Sequence, residues 1–322
     1  MRIVNERNAV LERLASAGEC RIPLLCPNAE TPEEMEGIFL GAQEHAEVRG
    51  LPAVTIGIGV TASYPDHPQL GGLNLPGTNV ETTASLWLRW LQSYGNSGLF
   101  GRVEAVPFLD HGWEPSRPDR ALMEQAWFQE AMGIIMHDAS LRDFADNVRL
   151  TAGYVERAGR RVVVEACPDK VYERAEIERK NLPAEAMLSQ PDNVERFVAA
   201  TGVDLVVPNL GTEHRTVSDI PLDYRRELAQ ELSSRIGPRL ALHGTSSLGR
   251  RLQTVGQDGI CKVNFYTAMA RAASERLKER WESVETGTPL PISLACGSAV
   301  HATRRDVFAE KTLEMLDLLA GV

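Results

Sequence analysis

Short runs rich in Val, Ile and Leu recur eight times along the chain, and a helical pattern follows each. The runs cover residues 20–28, 52–60, 102–110, 133–140, 161–169, 203–211, 239–244 and 260–267. Each is almost continuously apolar, as expected of parallel strands covered on both faces, rather than alternating as in a half-exposed sheet. Between them the spacing predicts helices over 30–50, 140–159, 190–202, 223–237, 267–284 and 304–321. The first of these opens on Thr31, Pro32, Glu33 and Glu34: a capping hydroxyl, a proline preset for the first turn, and acids at the positive end of the helix dipole. Ser140 is the expected cap of the second, which closes at Gly159. Strands alternating with helices over 322 residues predict an α/β fold, a (β/α)8 TIM barrel spanning residues 1–322 as one domain. An open doubly wound sheet is the rival, and it lacks the Gly-x-Gly-x-x-Gly turn after the first run. Segments 61–101 and 168–190 are long, and in a barrel the loops after strand ends carry the chemistry.

Composition removes several classes of function. With 34 Lys and Arg against 44 Asp and Glu, the net charge is −10 and basic blocks are missing, so neither nucleic acid nor an anionic membrane is the expected partner. Hydrophobic residues make up 43%, which supplies a large core and excludes wholesale disorder. No apolar run reaches the ~18 residues of a membrane span, and the first residues are charged where a signal peptide would be apolar. The 5 cysteines are odd in number and scattered (Cys20, Cys26, Cys167, Cys261 and Cys296), which points to a reducing cytoplasm rather than a disulfide framework.

Of the 7 histidines, His111, His214 and His243 stand at or just past the ends of the third, sixth and seventh runs. In a barrel those ends ring one mouth. Three imidazoles from different strands there make a zinc site with a position open to substrate. Asp110 precedes His111, so a proton-transfer group would stand beside a Lewis acid. Asp138 ends the fourth run and also reads as the N-terminal acid of the following helix. Glu165 and Cys167 end the fifth on one face, and a buried structural thiol is an alternative reading of Cys167.

These elements have an order that resembles the class II, metal-dependent fructose-bisphosphate and tagatose-bisphosphate aldolase family. The series runs Leu109-Asp110-His111-Gly112, Met136-His137-Asp138-Ala139-Ser140, Glu165-Ala166-Cys167, then Phe197-Val198 through Thr201-Gly202-Val203-Asp204. Gly211-Thr212-Glu213-His214, Leu242-His243-Gly244-Thr245-Ser246 and Lys262-Val263-Asn264-Phe265-Tyr266-Thr267 complete it, and the resemblance covers about residues 10–285. It implies a lyase of carbohydrate metabolism, cytoplasmic and homodimeric or homotetrameric, acting on a phosphorylated sugar or related hydroxy-ketone. It implies one catalytic Zn²⁺ on His111, His214 and His243, with Asp110 moving the proton on the hydroxyl where the carbon–carbon bond breaks. It also implies a second metal or monovalent-cation position at Asp138 and Cys167. Asn264 would contact the enediolate donor, and Gly244, Thr245, Ser246 and Thr267 would hold its anionic group.

The departures from the family pattern cluster around that anion. Glu-Leu-Gly becomes Cys167-Pro168-Asp169, the Gly after the second zinc histidine becomes Arg215, Gly-Gly-Ser-Gly becomes Gly244-Thr245-Ser246-Ser247, and the Asp of Asn-x-Asp-Thr becomes Tyr266. Lost glycines limit how closely backbone amides wrap a phosphate, whereas Arg215 offers a guanidinium in compensation. Glu173 and Glu176 fall in the segment of the family's mobile-loop base, with a solvated face as the other reading. A Schiff-base route is disfavoured, because the lysines are 170, 180, 262, 278 and 311 and none ends a run. Two other functions remain open: a metal-dependent isomerisation, epimerisation or hydrolysis of a hydroxy-ketone or keto acid, and a binding barrel without turnover.

Overall fold

The computed structural model describes residues 1–65, 68–73, 79–170, 179, 187–212 and 224–322. Among the described residues nine strands form one sheet: β1 (Arg2–Ile3), β2 (Leu24–Pro27), β3 (Val54–Val60), β4 (Val103–Trp113), β5 (Ile134–Asp138), β6 (Val163–Ala166), β7 (Leu205–Val206), β8 (Leu240–Leu242) and β9 (Ile260–Phe265). Every pairing is parallel. β3 to β9 pair in chain order, β9 pairs with β2, and a bridge between Asn28 and Gly59 joins β2 to β3. The sheet is therefore an α/β barrel of the predicted kind, and each of the eight predicted runs contains one of its strands, except that β4 continues past the end of its run to Trp113. β1 is extra and extends β5's side of β4 at its start.

The alternation along the strands explains the closure. Ile56, Ile58, Leu109, Ile135, Val164, Val206, Leu240 and Val263 face outward and pack on Phe39, Trp87, Tyr154, Phe197, Leu232, Met269 and Phe308 of the surrounding helices. Above Thr55, the inward residues of β3 are glycines. A Cβ at Gly57 would lie 2.3 Å from Cys26 Sγ, and one at Gly59 would lie 2.1 Å from the Phe108 ring and 2.4 Å from Asn28 Oδ1. Only a residue without a side chain lets β2 and β3 approach closely enough to close the ring.

The lower end of the barrel is plugged. Val10 and Leu14 of the helix Arg7–Cys20, which the sequence pattern did not single out, form one buried cluster with Val4, Leu24, Cys26, Val106, Phe108, Ile134, Val163, Leu205 and Cys261. Above it Met136, Cys167, Val207 and Ala241 make a smaller apolar layer.

Helix boundaries differ from expectation in two places. Ser140 is not a cap; its N–H donates to Asp138 Oδ1 at 3.0 Å, and the helix starts at Phe144 with Asp143 accepting from the Asp146 N–H. The last helix begins at Gly297 rather than Arg304, because its first turns pack beside the helix Pro32–Val48. Among the described residues no helix is long and apolar enough to cross a membrane.

Candidate active site

Two adjacent residues of a regular strand point to opposite faces, yet Asp110 and His111 both face the barrel mouth. A bulge in β4 achieves this. Leu109 pairs with Ile135 while Gly112 pairs with His137, so β4 carries one more residue than β5 between those pairs, and His111 has a left-handed φ of 49°. Such a bulge re-aims side chains at the cost of a strained backbone, a combination found at functional sites.

His243 follows β8 and closes on the same point. His111 Nε2 and His243 Nδ1 each lie 3.9 Å from Asp110 Oδ1, and the ligand atoms of these three residues all lie within 4.8 Å of one another. The other nitrogen of each ring is held from below. His111 Nδ1 is 2.6 Å from Asp138 Oδ2, and His243 Nε2 is 3.1 Å from Glu165 Oε1. A carboxylate on the far nitrogen fixes the tautomer and turns the near nitrogen toward the mouth, as around metal-binding histidines. Asp110 is itself held by two amides, accepting from Asn28 Nδ2 on Oδ2 and from Asn264 Nδ2 on Oδ1, both at 2.9 Å.

The electrostatics fit a cation. Burial works against ionisation of Asp110, but the charges of His111, His243 and Lys262 and the Asn28 hydrogen bond outweigh it and hold the carboxyl below its ordinary range. Asp138 and Glu165 are likewise brought down against burial, by His111 and by Lys262 respectively. Burial disfavours a charged His111, yet Asp110 and Asp138 prevail and raise its pKa; at His243 burial wins and favours the neutral ring. With both imidazoles neutral, as ligation requires, three carboxylates and the Lys262 ammonium leave two negative charges, the charge that one divalent cation balances. Imidazole nitrogens turned to one point also match the donor chemistry of zinc, with the Asp110 carboxylate beside them.

The other predicted residues divide into three groups. Gly244, Thr245, Ser246, Asn264 and Thr267 line the same pocket as Asp110, His111 and His243. The Thr245 hydroxyl donates to the Asn264 carbonyl and Ser246 Oγ accepts from the Ala268 N–H, so this turn is tied to the N-terminus of the helix Thr267–Glu282. Asp138 and Cys167 lie deeper: Asp138 is engaged with His111 and Ser140, and Cys167 is a buried thiol whose pKa burial drives well above the ordinary value. Among the described residues, neither belongs to a metal-spaced cluster. His214, Arg215, Glu173 and Glu176 lie outside the described residues.

Three contributors stand out only in the folded chain. Asn28 comes from the end of β2. Tyr64 stacks on His111 with ring centroids 4.4 Å apart and meets Trp113 edge-on. Lys262 is fully buried beneath the mouth, although its place near the start of a run says nothing of that. Its separation of two from Asn264 is the one signal, since residues two apart on a strand share a face. Tyr266, at the position of the family's aspartate, turns its hydroxyl to the Glu30 carboxylate.

The architecture recurs in known proteins. The Escherichia coli (strain K12) protein YdjI is 29% identical over 182 residues, a match covering 54% of this chain and 61% of that protein's length. The crystal structure of the YdjI aldolase from E. coli K12 superposes with a TM-score of 0.68 at 21% identity, covering 97% of each chain. Fructose-bisphosphate aldolase from Campylobacter jejuni reaches a TM-score of 0.75 at 12% identity, over 100% of this chain and 96% of that one. At such identities these structures establish the barrel fold. The model of the family described as fructose-bisphosphate aldolase class-II matches residues 90–315, which hold β5 to β9, the bulge of β4 and every site residue of the mouth except Asn28 and Tyr64. On that match over more than half its length, the chain belongs to the class-II fructose-bisphosphate aldolase family.

Proposed function

We propose that the chain is a zinc-dependent aldolase that makes or breaks a carbon–carbon bond in a ketose phosphate or related hydroxy-ketone. The observation that carries this is the meeting of Asp110, His111 and His243 at one point of the barrel mouth, with a carboxylate behind each imidazole. His111, His243 and His214 would hold the ion. Zinc bound there supplies Lewis-acid polarisation of a carbonyl and stabilises negative charge that develops on its oxygen.

The remaining work falls to side chains. Asp110, kept ionised between the Asn28 and Asn264 amides, takes the proton from the hydroxyl at the breaking bond and returns it in the synthetic direction. Asn264 aims its amide into the same space and orients the donor. An anionic group fits the turn Gly244–Ser246 and Thr267, which line the pocket at the N-terminal end of a 16-residue helix. Arg215 supplies a charge to that anion in place of the family's glycine, and Glu173 or Glu176 removes the α-proton. Asp138 serves His111 as its hydrogen-bond partner, with a cation at Asp138 and Cys167 as the second use of that carboxylate. A homo-oligomer in the reducing cytoplasm agrees with the family and with five cysteines that form no disulfide.

Lys262 supports the metal route over a Schiff base. Its amine is buried with a carboxylate, and Glu165 raises its pKa above the ordinary lysine value against the effect of burial, so it is no nucleophile.

The test is a screen of phosphorylated and non-phosphorylated ketoses for retro-aldol cleavage. Activity that chelator removes, zinc restores and borohydride leaves intact is expected. Borohydride inactivation in the presence of a donor, or no cleavage of any donor by zinc-loaded protein, would sink the reading.

A further inference from the structure

Lys262 is a buried charge for which the chemistry above has no use. It has 0% exposure, and the barrel positions just below it are apolar. An ammonium in such a place costs several kcal/mol unless its partners compensate, and a methionine would fill the same volume without that cost. A second bulge puts it there. Leu240 pairs with Ile260 while the next residue, Ala241, pairs with Lys262, so Cys261 is the extra residue of β9. Cys261 joins the apolar plug, and Lys262 also turns into the barrel.

The three N–H directions of the ammonium are accounted for. Nζ donates to Glu165 Oε1 at 3.2 Å and lies 2.9 Å from Oε2, donates to Asn264 Oδ1, and sits 4.6 Å from the centroid of the Phe108 ring. Each polar partner leads directly to the site. Glu165 Oε1 is the oxygen that holds His243 Nε2. Asn264, with Oδ1 bound to the ammonium, must present Nδ2 to Asp110. An asparagine side chain has two nearly isosteric orientations, and the lysine selects one.

We propose that Lys262 is a positioning residue of the metal centre, which fixes both the carboxylate that aims His243 and the amide that faces Asp110. The inference rests on the reading of His243 as a metal ligand. Without the ammonium, Glu165 loses its second anchor and Asn264 is free to flip its oxygen toward Asp110, where two acceptors repel.

The experiment is a Zn²⁺ titration against a chromophoric chelator, run on purified full-length parent, Lys262→Met, Glu165→Gln and the double variant, with circular dichroism to confirm folding. Lys262→Met should bind Zn²⁺ about 10–100-fold more weakly, as expected when a partner of a ligand is removed. Glu165→Gln should lose a similar factor, and the double variant should be no weaker than the weaker single, because the lysine acts on His243 through the glutamate. In turnover, Lys262→Met should lower kcat at saturating zinc, through Asn264. Folded Lys262→Met with affinity within about twofold of the parent overturns the proposal, as does a double variant weakened by the product of the single factors. Lys262→Gln, which keeps a donor for Asn264, carries the same affinity comparison where Lys262→Met does not fold. The affinity measurement needs no turnover. Weakened binding beside a parent that cleaves no donor removes the aldolase reading and keeps this one, and a cleaving parent with unchanged affinity in the variants does the reverse. A parent that binds no divalent cation overturns both.

Discussion

The two ends of the barrel solve the same packing problem with opposite materials. At the lower end, the inward positions of β2, β4, β5, β6 and β7 are Leu24, Val106, Ile134, Val163 and Leu205, and the first helix caps them with Val10 and Leu14. At the upper end the inward positions are Asp110, Asp138, Glu165, His243, Lys262 and Asn264, joined by His111. The lower end is filled by volume, and nothing there depends on one hydrogen bond. The upper end is filled by polar groups that pair with one another, where each depends on its neighbours. The β4 bulge lies at the upper end, and the β9 bulge, whose extra residue Cys261 joins the plug, sets Lys262 at the boundary. Stability is thus concentrated at one end and chemistry at the other, and the two should separate on mutation.

The largest separation is expected at Asp110. Asp110→Asn removes the proposed proton carrier while leaving both imidazoles and their carboxylates in place. Turnover should fall by about 10²–10⁴-fold with little change in melting temperature, as general acid–base groups commonly show. Loss of zinc in step with activity, measured by metal analysis of the purified variant, would instead make Asp110 a ligand.

The opposite signature belongs to the plug. Leu14→Ala empties volume against Val10 and the lower strands and should cost about 2–5 kcal/mol in denaturant unfolding. Zinc affinity of the folded variant should match the parent's. A change in affinity would mean that the two ends are not independent.

A smaller effect is expected from Asp138→Asn, which keeps a hydrogen-bonding side chain on His111 Nδ1 but no charge. Zinc affinity should drop about 10–100-fold, read by chelator competition. An unchanged affinity would show that the ring is held by packing against Tyr64 rather than by the carboxylate.

The smallest concerns acid stability of the lower rim. Glu104 is held below its ordinary pKa, against burial, by hydrogen bonds from Arg13 and Thr55 and by the charges of Arg13 and Arg2. A depressed carboxylate pKa contributes stability that is complete above the unfolded value near 4.5 and is lost as pH falls through the folded value. The melting temperature of the parent should therefore fall more between about pH 5 and 3 than that of Glu104→Gln. Equal slopes would assign the acid sensitivity to the charged mouth instead.

The strands were legible because their signal is local. A parallel strand covered on both faces must be apolar throughout, and eight such runs separated by helix-length spacers leave little but a barrel. His111 and His243 are legible for a related reason, since topology alone sends their strand ends to one mouth. Ser140 and Asp143, three residues apart, are equivalent cap signals in the sequence until Asp138 claims the Ser140 amide. The helix Arg7–Cys20 carries little signal of its own, because its buried residues are few and its partners lie in six different strands.

Residue order thus established the barrel, the strand ends and which chemistry could gather there, because periodicity and chain connectivity are written along the sequence. Only the tertiary structure decided which side chains meet. Alternation would send Asp110 and His111 to opposite faces and Cys261 and Lys262 likewise, and a one-residue slip against a neighbouring strand reverses that in each case. Such a slip is a relation between two chain segments far apart in sequence, and neither segment carries it alone.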